Sequence, residues 1–131
     1  GGDGWGSVNE KDLGGAAEAE PTVQGAHMYV GTRGANGFYV LDLQRNFAMV
    51  KGFSRENISG GVATSPLADG KYIYFGTDLG SFYALNTGKK FDLAWTFRDP
   101  SQSRMVGSPV SLGGGRVVFV CANGTVYVFD D

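Results

Sequence analysis

One phrase is written three times in this chain, and that repetition limits the fold more than any other feature. It stands as MYVGTRGANGFYVL at 28–41, YIYFGTDLGSFYAL at 72–85 and VVFVCANGTVYVF at 117–129. Each version is two short apolar runs around a polar, Gly-containing turn, which reads as a hairpin. The second runs align on Phe38-Tyr39, Phe82-Tyr83 and Val126-Tyr127, 44 residues apart each time. The first runs align on Tyr29, Tyr74 and Phe119 at a spacing of 45. Upstream of each stands a proline, Pro21, Pro66 or Pro109, followed by a Gly-containing turn. Each unit therefore reads as strand A, turn, strand B, turn, strand C.

A fourth strand is visible in the middle unit as Leu93–Phe97, with a counterpart at Phe47–Val50 in the first. Trp5 lies 16 residues before Pro21, and Val50 lies 16 before Pro66. The residues around Trp5 thus read as strand D of a preceding unit. Four short antiparallel strands per ~44-residue unit is the pattern of a β-propeller blade. Strand B of the middle unit, Tyr72-Ile73-Tyr74-Phe75, is apolar on both faces. That suits a sheet covered on both sides by neighbouring blades. The AAEAE run at 16–20 is short and ends at a proline, so it is expected to be extended.

The fold expected is therefore all-β: an antiparallel propeller segment of about three four-stranded blades from a six- to eight-bladed ring. The whole of 1–131 belongs to it. Residues 1–8 are strand D of a preceding blade or a ring-closing strand. Blade 1 is 17–53, blade 2 is 62–98, and blade 3 is 105–131, lacking its last strand. An open half-ring would leave two inter-blade faces wet, a loss of apolar burial on the scale of a domain's net stability. The ring is thus expected to be completed by other polypeptide, either further blades of a parent protein or a second copy closing six blades.

The middle unit resembles a known family. Its Ser-Pro, Asp-Gly, Tyr-Ile-Tyr-Phe-Gly-Thr-Asp-x-Gly-Ser-Phe-Tyr-Ala-Leu-Asn-Thr-Gly-Lys and Trp-Thr-Phe (65–97) are similar to the PQQ-like (pyrroloquinoline-quinone-type) propeller repeat. Ala84, Asn86, Thr87, Gly88 and Trp95 fit the family's docking motif with altered spacing; the first unit keeps only Asp42 of it. Asp42, Asn86 and Asp130 recur where strand C ends and are expected to start turns. Gly88 is expected to supply a left-handed residue there, and Trp95 a face for the next blade. The resemblance implies a non-enzymatic scaffold or protein-interaction subunit, as in outer-membrane assembly lipoproteins and sensor ectodomains. It also implies an extracytoplasmic setting: periplasmic, secreted or lumenal. Two alternatives stand beside it, a fragment of a PQQ-dependent quinoprotein dehydrogenase and a purely structural subunit of a larger complex. Such dehydrogenases hold calcium with acidic and amide side chains, stack the quinone on a tryptophan, and often carry a vicinal disulfide. Cys121 is the only cysteine, so no disulfide forms within the chain. No acidic cluster separates from the turn residues, and no cofactor, metal or catalytic residue is assigned to this segment.

Other motifs reduce to scaffold. His27 is the only histidine and falls on strand B, far from any triad pattern. GTRGANG (31–37) is followed by a strand, which a phosphate loop forbids. Asn57-Ile-Ser and Asn123-Gly-Thr are formal glycosylation sequons, and Asn123-Gly124 is expected to form a type I′ turn. A net charge of -2 with scattered Lys and Arg marks no nucleic-acid surface, and no apolar run approaches a membrane span. What remains is geometry. B–C and D–A loops emerge on one face of a propeller, and the D–A loops are the longest and most charged segments between blades. The candidate interaction face is Arg33, Arg55, Glu56, Asp78, Arg98, Asp99 and Arg104, with the sheet edge as a second route by strand addition.

Overall fold

A computed structural model describes residues 12–50, 53 and 55–130. They form three antiparallel sheets. Blade 1 contains β1 (Thr22–Gln24), β2 (His27–Gly31), β3 (Phe38–Asp42) and β4 (Ala48–Met49). Blade 2 contains β5 (Leu67–Asp69), β6 (Tyr72–Gly76), β7 (Ser81–Asn86) and β8 (Asp92–Arg98). Blade 3 contains β9 (Val110–Gly113), β10 (Arg116–Val120) and β11 (Val126–Asp130). In every sheet the strands pair in chain order, A with B, B with C and, in the first two, C with D. The expected strand D around Trp5 lies outside the described residues.

The registers define two faces per blade, because successive side chains in a strand point to opposite sides. In blades 2 and 3 the incoming face meets the preceding blade. It carries Met28, Leu41, Val30 and Tyr39 in blade 1, Ile73, Leu85, Phe75 and Tyr83 in blade 2, and Val117, Phe129, Phe119 and Tyr127 in blade 3. In blades 1 and 2 the outgoing face meets the next blade. It carries Tyr29, Val40 and Phe38, then Tyr74, Ala84 and Phe82, then Val118, Val128 and Val126. This corrects one sequence alignment. Tyr29 and Tyr74 are equivalent, but Phe119 is not their third member. It is the counterpart of Phe75, and Val118 takes the place of Tyr74. The B–C loop of blade 1 has one residue more than the other two, so the strand B spacing is 45 and then 44.

The core lies between blades. Phe38 stacks on Phe75 at 3.9 Å, and Phe82 stacks on Phe119 at 4.6 Å, both nearly parallel. All four rings are buried. Trp95 packs against Phe129 and the edge of Phe119, covering blade 3 as strand D aromatics were expected to do. Gly31 and Gly76 end their B strands where the next blade's approach is closest. A Cβ at Gly31 would meet Val62 O at 2.6 Å, and one at Gly76 would meet Met105 Sδ at 2.2 Å.

Two turn expectations change. In the B–C turn of blade 3, Gly124 N–H donates to Cys121 O, and Asn123 is not among the residues of positive φ. A type I′ turn would need two such residues. The chain instead makes a tight turn that closes on a left-handed Gly124, as it does at Gly80 after Thr77-Asp78-Leu79. In the C–D turns the left-handed residues are Asn46 and Phe47 in blade 1 and Lys90 and Phe91 in blade 2, not Gly88. Asp42 and Asn86 do start these turns. Their Oδ1 atoms accept from Gln44 N–H and Gly88 N–H, and their carbonyls accept from Phe47 and Phe91.

Candidate functional site

The B–C and D–A loops are sewn to one another. Arg33 N–H donates to Ala16 O, Asp78 N–H to Gly61 O, and Ala122 N–H to Arg104 O, one such bond per blade. A tyrosine on each strand C adds a second tie. Tyr39 donates its hydroxyl hydrogen to Leu13 O (2.7 Å), Tyr83 Oη accepts from Ser59 N–H (2.9 Å), and Tyr127 donates to Asp99 Oδ1 (2.5 Å). These three tyrosines stand 44 residues apart. Sequence reading found the repeat but missed this use of it, and the phenol at one fixed offset was the available signal.

The strongest electrostatic feature belongs to the third tie. Asp99 was expected on the exposed face, but it is 2% exposed and committed to the fold. Its carboxylate accepts from Tyr127 Oη, Ser101 N–H and Ser103 N–H. The bond from Tyr127 and the backbone donors hold its carboxyl below the usual carboxylate range. The same bond, with burial, pushes the Tyr127 phenol up to about 12. The adjacent Cys121 thiol is buried and raised, first by desolvation and then by the charge of Asp99, which makes it a core residue and a poor nucleophile.

The remaining candidates divide. Arg33 and Asp78, on the B–C loops of blades 1 and 2, and Arg104, on the D–A loop between blades 2 and 3, line one cleft of about 530 Å³, with Thr64, Thr77 and Met105 on its walls. Arg33 pairs with Glu18 at 2.9 Å. Asp78 Oδ1 accepts from Gly61 N–H at 3.0 Å, which fixes the loop. The Thr64 Oγ1 in the wall is buried without a hydrogen-bond partner. Arg98 ends β8 opposite Ser81, and Arg55 and Glu56 sit in a short 3-10 turn, Arg55–Asn57; neither Arg98 nor Glu56 lines the cleft. His27 begins β2 at the opposite end of that strand from Arg33 and packs edge-on against Phe91 at 5.0 Å. Among the described residues, no group of three or more His, Cys, Asp or Glu is placed to hold a metal ion. No helix among them is long and apolar enough to cross a membrane.

No family model matches the chain, and no curated protein matches it. Solved structures do. BamB from Moraxella catarrhalis is 21% identical with a TM-score of 0.61, over 90% of this chain and 38% of its own. The quinohemoprotein alcohol dehydrogenase ADHIIG from Pseudomonas putida HK5 is 21% identical with a TM-score of 0.65, over 93% and 20%. The Cps50 (Swd1) β-propeller domain of Myceliophteria thermophila is 10% identical with a TM-score of 0.66, over 94% and 38%. The chain is a β-propeller segment. It spans well under half the length of each of these propellers, and at such identities the likeness is one of fold.

Proposed function

We propose that this segment is a non-enzymatic, PQQ-like propeller module that binds a protein partner through its loop-rich face, centred on the Arg33–Asp78–Arg104 cleft. One observation carries the reading: two B–C loops and one D–A loop bring two arginines and an aspartate to a single concave site, and the scaffold beneath it is held by backbone bonds repeated in every blade. Recognition loops on a rigid frame are the usual division of labour. An extracytoplasmic setting goes with this reading, on the strength of the repeat's resemblance. Photo-crosslinking residues placed at 33 and 104 test it, against a control at 89 on the C–D side. Partner adducts from 33 and 104 alone support the proposal. Equal adducts from 89 overturn it.

A second reading, part of a quinoprotein dehydrogenase, is favoured by the likeness to ADHIIG. Pyrroloquinoline quinone and Ca²⁺ added to the chain would then perturb the quinone's visible spectrum. An unchanged spectrum removes quinone binding by this segment.

A further inference from the structure

Two asparagines in this chain are followed by glycine, Asn36-Gly37 and Asn123-Gly124, and both pairs stand in B–C turns. The carboxamide carbon of an asparagine is open to attack by the backbone nitrogen of the next residue. Glycine at that place has no Cβ to obstruct the approach. The fold treats the two pairs in opposite ways.

Asn36-Gly37 is locked between blades. Asn36 Nδ2 donates to Ile58 O at 2.6 Å, and Gly37 N–H donates to Gly60 O at 3.0 Å. Gly37 is buried, with Thr32 O, Gly34 O and Gly61 Cα crowding the place of a Cβ. Releasing this pair means parting the B–C turn of blade 1 from the D–A loop that leads into blade 2.

Asn123-Gly124 is the reverse. Both residues are exposed, and a Cβ at Gly124 would meet nothing within 4 Å. Asn123 Oδ1 accepts from Thr125 N–H at 3.0 Å. The ring closed by that bond contains Gly124 N, so the carboxamide carbon is folded over the nitrogen that attacks it, and the bond polarises its carbonyl. Gly124 N–H is held within the turn itself, by Cys121 O at 2.9 Å. Opening one exposed turn costs less than parting two blades. Asn86 closes the same ring, to Gly88 N–H, but its successor is the β-branched Thr87, whose N–H is bonded to Lys71 O.

We propose that Asn123-Gly124 is a self-modification site on the loop-rich face, where asparagine converts to aspartate and isoaspartate with water as the co-reactant. Gly124 N bonds to Asn123 Cγ, the Cγ–Nδ2 bond breaks, and the Gly124 amide proton leaves with that nitrogen as ammonia. Water then opens the five-membered imide. Cleavage at Cγ restores the ordinary backbone as aspartate. Cleavage at the backbone carbonyl carbon routes the chain through the side chain as isoaspartate. No electrons are exchanged. Either product takes the formal net charge of -2 one unit lower. The new carboxylate stands in the turn that is bonded to Ser103 Oγ and Arg104 O, next to an arginine of the cleft.

The full chain, aged at mildly alkaline pH and digested with trypsin, tests this, because Asn36, Asn86 and Asn123 fall on separate tryptic peptides. In the folded chain the one-dalton mass gain of deamidation is expected at Asn123 roughly tenfold or more faster than at Asn36, with Asn86 slowest. In concentrated urea, where turn and blades are both open, the two Asn-Gly pairs are expected to react at one rate. Isoaspartyl methyltransferase is expected to label the Asn123 peptide of the aged folded chain. A folded chain in which Asn123 reacts no faster than Asn36 overturns the proposal. So does an Asn123 that stays unreacted when folded and reacts only in urea.

Discussion

Removing the Phe82 ring tests whether the inter-blade stacks hold the fold. Phe82 is fully buried, stacked on Phe119 at 4.6 Å, with the Tyr127 and Phe97 rings at 5.4 and 6.0 Å. These neighbours belong to two different sheets, and backbone ladders on either side keep them from collapsing into the space. Phe82→Ala is therefore expected to cost about 3–5 kcal/mol, the range for a large aromatic lost from an interior that relaxes little. About 0.5–1.5 kcal/mol of that belongs to the pairing with Phe119 beyond simple burial. The assay is urea unfolding of Phe82→Ala, Phe119→Ala and the double variant at one fixed chain concentration, with Phe82→Leu as the milder change. The coupling between the two sites should fall in the same 0.5–1.5 kcal/mol range. A loss below about 1 kcal/mol for Phe82→Ala, far under the large-to-small range, or an absent coupling would refute the reasoning.

Gly31→Ala drives its Cβ into a backbone carbonyl and Gly76→Ala into a flexible Met105 side chain, so thermal melts should show the first as the more damaging, by about 1–3 kcal/mol. The Tyr127 phenol, raised to about 12, contributes stability that is complete below its ordinary value of 10.0 and is lost as pH climbs toward 12. Absorbance titration of the phenolates should show one group ionising near 12 that Tyr127→Phe removes. Asp99 has the opposite sign. Its lowered carboxyl contributes stability above its ordinary value of 3.8, lost as pH falls through the folded-state value, and Tyr127→Phe should blunt that acid loss in a pH series of unfolding midpoints. Arg33→Ala with Arg104→Ala should leave the melting temperature within the small range of surface substitutions while abolishing partner crosslinks from a photo-reactive residue placed at 79 on the same face.

Blades were legible in the sequence because packing from both sides demands apolar residues at one spacing, and the Phe-Tyr pairs at 38, 82 and 126 record that demand. The register of strand B was not legible. One extra residue in the 32–37 loop moves Phe119 to the opposite face from Tyr74, and strands apolar on both faces give no alternation to reveal it. Left-handed residues were expected at Gly88 and Asn123 by residue type, whereas the blade 2 C–D turn places them at Lys90 and Phe91, where turn closure and the burial of Phe91 override intrinsic preference, and the blade 3 B–C turn uses Gly124 alone. The charge-rich loops were visible, but exposure within them was not. Asp99 looks like its neighbours in sequence and is set apart by the Tyr127 hydroxyl, 28 residues away, and by the Ser101 and Ser103 N–H groups that close over it.

The central claim is that adjacent blades meet through equivalent aromatic stacks. A nuclear Overhauser spectrum of the chain with isotope-labelled phenylalanine tests it most directly. The fold predicts ring-to-ring cross-peaks for Phe38 with Phe75 and for Phe82 with Phe119, and none between Phe38 and Phe119. A Phe119 ring with no cross-peak to Phe82 would contradict it.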